Sequence, residues 1–144
     1  MGVPEDRTSR RLLVAGGIYA ALTIVYFACA ARSTITQHTA FNHFAHLAKG
    51  WLSGQLSMVE PPPGYAMNND FAQYEGKWFI VFPGFPALLL MPAVAVAASV
   101  EKVRDGQIFL WLACIAPAAL YLVFERLRDL GRSRLGSADA ALLA

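Results

Sequence analysis

Phe79-Ile-Val-Phe-Pro83-Gly-Phe-Pro86-Ala-Leu-Leu-Leu-Met-Pro92-Ala-Val-Ala-Val-Ala-Ala-Ser-Val100 decides how this chain is organised. The stretch carries no charge and is long enough to cross a bilayer core of about 30 Å at 1.5 Å per residue. Three prolines interrupt it, and a proline inside a helix removes a backbone donor and clashes one turn back. Two readings follow. Segment 79–100 is a Pro-broken re-entrant or surface helix, or it is a second spanning helix with a kink.

The flanking sequence favours the first. Segment 12–31 is an uncharged run of span length, preceded by Arg7, Arg10 and Arg11 in a short 1–11 segment. Segment 107–124 is another, with Pro117 inside and Arg126, Arg128, Arg132 and Arg134 after it. If all three runs span, the basic tail lies outside and the positive-inside rule is opposed. If 79–100 stays on the outer side, the three N-terminal and four tail arginines lie inside. Arg32, Lys49, Lys77, Lys102 and Arg104 then lie outside, and the rule is obeyed. The expected fold is therefore an all-α integral membrane architecture of two transmembrane helices and a long outside loop, with three transmembrane helices as the alternative. A cleaved signal peptide ending near Ala28-Cys29-Ala30 accounts less well for the first run, which exceeds the usual apolar region of such a leader.

Composition agrees. Of 144 residues, 56% are apolar and only 15% charged, with a mean hydropathy of +0.43. A soluble domain averages roughly 45–50% apolar and about 25% charged. Twelve basic against ten acidic residues give no electrostatic footprint for nucleic acid. Segment 32–78 is the polar part. Within it Phe41, Phe44, Ala45, Ala48, Trp51 and Leu52 form one helical stripe, with Asn42, His43, His46 and Lys49 away from it. An amphipathic helix over 39–53 is expected, with Thr39 as N-cap and Gly54 as stop, lying in the membrane interface. Glu60-Pro61-Pro62-Pro63-Gly64-Tyr65, Asn68-Asn69-Asp70 and Glu75-Gly76-Lys77 read as turns and loops. The 125–144 segment is basic, then turns apolar over 138–144, as if a next helix were beginning and cut short.

The order of a basic start, one span, an outside loop, Asp70-Phe-Ala-Gln-Tyr74-Glu75-Gly76-Lys77-Trp78 and then Phe82-Pro83-Gly84-Phe85-Pro86 before an apolar run resembles the N-terminal part of GT-C-type membrane glycosyltransferases. These include the protein-mannosyltransferase and lipid A aminoarabinose-transferase relatives. The specific pattern covers about 25 residues. The resemblance implies an N-terminal module of a longer enzyme in the bacterial inner membrane. It implies transfer of a sugar from a polyprenyl-phosphate carrier to an acceptor on the outer face, with the remaining transmembrane helices of the parent as partners.

Such chemistry needs a carboxylate or imidazole to take the acceptor's proton and cations to meet the departing phosphate. The resemblance points to Asp70, with Glu75, Glu60 and His43 (or His38) behind it, as the base. It points to Lys77 and Arg104 for phosphate, and to Tyr74, Trp78 and Phe82 for sugar or lipid. The sequence departs from the family pattern in one respect, because 32–59 contains no Asp or Glu. Structural roles compete at each position: a turn for Asp70, membrane-boundary snorkelling for Lys77. His43 and His46 at i and i+3 could share a divalent metal, but no third ligand is evident in sequence. The other function class is a small non-catalytic membrane accessory or assembly protein. Cys29 and Cys114 read as buried thiols, not a disulfide.

Overall fold

A computed structural model describes residues 5–40, 42–62 and 70–144. Phe41 of the expected stripe, and the turn residues 63–65 and 68–69, lie outside the described residues. The chain divides into two units. Met1–Ala30 and Phe109–Ala144 form unit 1, and Ala31–Ile108 forms unit 2.

Unit 1 is helical. Helix α1 spans Glu5–Cys29, longer at its start than the 12–31 run, because its first turns are anchored by ionic partners. It packs along α6, Ile115–Asp129. Helix α5, Asp105–Ala113, runs almost directly into α6 through Cys114, whose backbone is still right-handed helical. Pro117 explains the interruption, since its ring crowds the carbonyl four residues back, that of Ala113. The Cys114 thiol bonds the Leu110 carbonyl at 3.3 Å. Together, 7–29 and 105–129 are two helices long and apolar enough to cross a membrane. Gly131, at φ 67°, closes α6 with a left-handed residue suited to glycine. A last helix, α7, takes Ser137–Leu143 and seats Ala140 against Tyr121 and Ala15. The expectation of two buried thiols needs correction: Cys114 is buried, but Cys29 is exposed at the end of α1.

Unit 2 fills the sequence between the two long helices. It begins with the short α2, Arg32–Thr36, and continues with α3, His43–Leu52. Helix α3 is shorter than the 39–53 expected. Asn42 stands at the N-cap position, and Thr39 is drawn away by Asp105. Two strands follow, β1 (Phe71–Tyr74) and β2 (Lys77–Ile80), paired antiparallel with Phe71 opposite Ile80 and Tyr74 opposite Lys77. Glu75 and Gly76 have φ of 48° and 75°, the two positive values of a tight two-residue hairpin turn. The all-helical expectation is thus amended by a hairpin where a loop was read.

Phe79–Val100 is divided three ways. Its first two residues finish β2, Phe85–Val96 forms α4, and a 3₁₀ turn occupies Val100–Lys102. At 12 residues α4 is about 18 Å long, well short of a hydrocarbon core. Gly84 and Pro86 open it, and Pro92 lies within it. Ala87, Leu90 and Val94 form its buried stripe, and α3 is its principal neighbour. Phe85, Leu88, Leu89 and Val96 form an exposed apolar stripe on the other side.

Candidate functional site

Helix α3 organises unit 2. Sequence periodicity put its histidines on a solvated face, yet His43, His46 and Asn42 are buried with Ala45, Leu47 and Ala48. The reason is tertiary: α4, β2 and the 3₁₀ turn all contact α3, so no side of it is left as a simple polar face. Leu52, at the end of the expected apolar stripe, is instead exposed. Two glycines permit the close approach. A Cβ on Gly50 would lie 2.2 Å from the Ser57 carbonyl oxygen, and one on Gly84 would lie 2.6 Å from the Trp51 ring.

The first turn of α3 carries His43. Its ring stands 4.5 Å from Phe44, 5.9 Å and edge-on from Phe71, and 6.3 Å from Phe82. Burial pushes the imidazole below its ordinary value of 6.5, against the opposing pull of the Asp70 and Asp105 carboxylates. A neutral imidazole near two carboxylates can accept a proton and have the resulting charge stabilised. Asp70 is half-buried, and its carbonyl accepts from the Val81 backbone at 3.1 Å, which places it at the open end of the hairpin. Asp105 is buried and accepts from the Thr39 backbone at 2.8 Å and the Thr39 hydroxyl at 2.5 Å. Sequence reasoning missed Asp105. Its position in the first turn of α5 is the available signal, though that predicts only a capping carboxylate.

One turn further along α3 is a second group. His46 Nδ1 lies 3.6 Å from Glu60 Oε2, and Lys49 Nζ donates to Glu60 Oε1 at 2.5 Å. Glu101 completes the cluster, with one ligand atom each from His46, Glu60 and Glu101 within 4.8 Å of one another. Burial lowers the His46 imidazole as it does His43. The Glu101 carboxylate is held below its usual range by its own backbone N–H and the Ser99 hydroxyl. The third metal ligand that the histidine pair lacked in sequence is therefore present for His46, but from two carboxylates rather than His43 or His38.

The remaining expected residues lie elsewhere. Glu75 is a turn residue, exposed at the hairpin tip. Tyr74 and Lys77 pair beside it and are also exposed. Tyr74 is four residue steps along the strand from Asp70, or about 13 Å at about 3.3 Å per residue, so the Lys77 end is not beside the Asp70 end. Trp78 alternates onto the face of buried Phe71, and its carbonyl accepts from Met58 N at 2.9 Å. Arg104 is exposed and precedes Asp105, with no side-chain partner among the described residues. Asp70 and Asp105 thus both act electrostatically on His43, while Tyr74, Glu75 and Lys77 form a separate tip.

Unit 1 has its own charged cluster. Arg11 donates to Glu125 at 2.7 Å and to Asp129 at 2.5 and 2.7 Å. Arg128 donates to Glu125 and to the Ser137 hydroxyl, both at 2.5 Å. This network joins α1, α6 and the start of α7.

No protein-family model matches the chain, and neither a curated protein nor a solved structure is significantly similar to it.

Proposed function

We propose that this chain is a membrane module of a glycosyltransferase that moves a sugar from a polyprenyl-phosphate carrier to an acceptor on the outer face of the bacterial inner membrane. The observation that carries the proposal is a buried imidazole, His43, under the electrostatic pull of the Asp70 and Asp105 carboxylates, in a unit whose sequence lies between two span-length helices. In this reading the two long helices cross the bilayer, residues 31–108 face outward and both ends of the chain face inward. The charge distribution supports it, with seven basic residues inside and five outside. The exposed stripe Phe85, Leu88, Leu89 and Val96 suits α4 to lie at the lipid surface, and its length does not suit it to cross.

His43 acts as the base toward the acceptor hydroxyl, with Asp70 stabilising the imidazolium that forms. Asp105 supports the same pair and fixes Thr39. Arg104, next to Asp105, meets the departing phosphate. Tyr74 and Lys77 at the hairpin tip contact the carrier's headgroup or the acceptor, away from the reacting atoms. The remaining helices of a longer parent supply the groove for the prenyl chain.

The test is sugar transfer in membranes expressing the full genomic reading frame. Asp70→Asn is expected to abolish transfer while leaving membrane insertion intact, and normal turnover in that variant removes Asp70 from the site. Cysteine-accessibility labelling should place Val59, which is exposed, outside and Arg132 inside, and Arg132 labelled from outside overturns the topology. A reading frame that stops at Ala144, with no transfer in any assay, favours the non-catalytic accessory protein instead.

A further inference from the structure

We propose that His46, Glu60 and Glu101 form a divalent-cation site, in which one imidazole nitrogen and two carboxylate oxygens bind a first-row metal such as Zn²⁺ or Mn²⁺. The three residues come from α3, from the segment that follows it and from the 3₁₀ turn, so the ion would clip three separate parts of unit 2 together.

Two independent observations meet here. The first is the spacing. Two ligands of a tetrahedral ion with bonds of about 2.0–2.2 Å lie roughly 3.4 Å apart. His46 Nδ1 and Glu60 Oε2 already stand at 3.6 Å, and no pair in the cluster exceeds 4.8 Å. Closing the rest falls to Glu101, which is exposed and would exchange its own backbone N–H and the Ser99 hydroxyl for the ion. The second is that His46, only 8% exposed, has its buried Nδ1 without a hydrogen-bond partner among the described residues. A buried nitrogen left unpaired is costly, and a metal bond satisfies it. Its nearest charged neighbour is the Glu60 oxygen that Lys49 leaves uncovered.

Charge and ligand type then narrow the ion. Two carboxylates against one ammonium leave the cluster net negative. A mixed nitrogen and oxygen set suits Zn²⁺ or Mn²⁺ better than Mg²⁺, which prefers oxygen alone in a strict octahedron. Three protein ligands leave at least one position for water. The inference concerns the integrity of unit 2 and does not depend on the transfer reaction.

The test uses the full chain, purified without a histidine tag in detergent and stripped with EDTA. Calorimetric titration with ZnCl2 or MnCl2 should show one saturable site per chain, and the melting temperature should rise with the bound ion. Glu101→Gln should weaken binding by at least about tenfold, and the rise in melting temperature on adding the ion, measured against the variant's own metal-free value, should shrink accordingly. His38→Gln should leave binding unchanged. Co²⁺ should give ligand-field absorption that Glu101→Gln and His46→Gln both diminish. Failure of both ions to saturate a site overturns the proposal. So does Glu101→Gln binding as tightly as the native chain, or loss of binding in His38→Gln with retention in Glu101→Gln.

Discussion

Helices α1 and α3 place their polar groups in opposite ways. From Leu12 onward α1 is mainly apolar, with Leu12, Leu13, Ile24 and Val25 exposed and Thr23 its one buried polar side chain among the described residues. Its buried ionic contacts sit at one end, where Arg11 meets Glu125 and Asp129. Helix α3 buries polar residues at its cap and over its first turns, namely Asn42, His43 and His46. The difference teaches what each environment asks of a helix. A helix among lipids satisfies its own backbone and needs polar side chains only where it meets water or a partner. A helix in the middle of a folded unit can hold polar groups wherever neighbouring segments bring partners to them.

The largest expected effect tests the ionic end of unit 1. Glu125 has a side chain only 2% exposed and takes hydrogen bonds from both Arg11 and Arg128. Arg11→Leu removes one of these and leaves a buried carboxylate undercompensated, at a cost of about 3 kcal/mol. Thermal melting in detergent, followed by far-ultraviolet circular dichroism, should show this as a lowered midpoint. An unchanged midpoint would mean that the network orients α1 and α6 without stabilising them, and would erase the contrast with α3.

Glycine substitutions give the next effect, and here the two units should respond with opposite signs. Gly50→Ala forces a Cβ onto the Ser57 carbonyl and should cost about 1–3 kcal/mol as overpacking. Gly17→Ala in α1 meets nothing within 4 Å and should gain up to about 1 kcal/mol in helix propensity. Limited proteolysis within unit 2 and melting of α1 read the two separately. If Gly17→Ala instead lowers the midpoint while α1 remains helical, then another helix packs at that glycine.

This contrast also explains what was legible in the sequence. Length and apolarity alone fix α1 and the α5–α6 pair, so two span-length helices follow directly from 12–31 and 107–124. The prolines and basic-residue counts likewise indicate that 79–100 is not one straight span, and α4 at 12 residues agrees. The hairpin was legible in principle. Glu75-Gly76 sits between Phe-Ala-Gln-Tyr and Lys-Trp-Phe-Ile, yet strands of four residues are too short for alternation to announce them. The buried side of α3 was not legible. It depends on 55–62 folding back and on the 3₁₀ turn arriving from far along the chain, so Glu101 and Asp105 could not be paired with His46 and Thr39 by spacing. The amphipathic pattern assigned one wet face to a helix that tertiary structure surrounds.

The smallest effect comes from pH, and it falls on unit 2 because the chain's three histidines, His38, His43 and His46, all belong there. Burial lowers His43 and His46 in the folded protein, while the unfolded chain keeps values near 6.5. Above 6.5 both states carry neutral imidazoles, and no stability depends on them. Between the folded values and 6.5 the unfolded chain binds more protons, so unit 2 loses stability as pH falls through that window. Amide-exchange protection factors in α3, measured with EDTA present, should therefore drop between about pH 7.5 and about pH 5.5. Those in α1 should change little across the same range. His43→Gln should flatten part of the α3 response, with His46 contributing the rest in the same direction. Protection in α3 that rises on acidification would mean that Asp70, Asp105 and Glu60 outweigh burial. The histidines would then be paired cations, and His43 could no longer serve as a neutral base at pH 7.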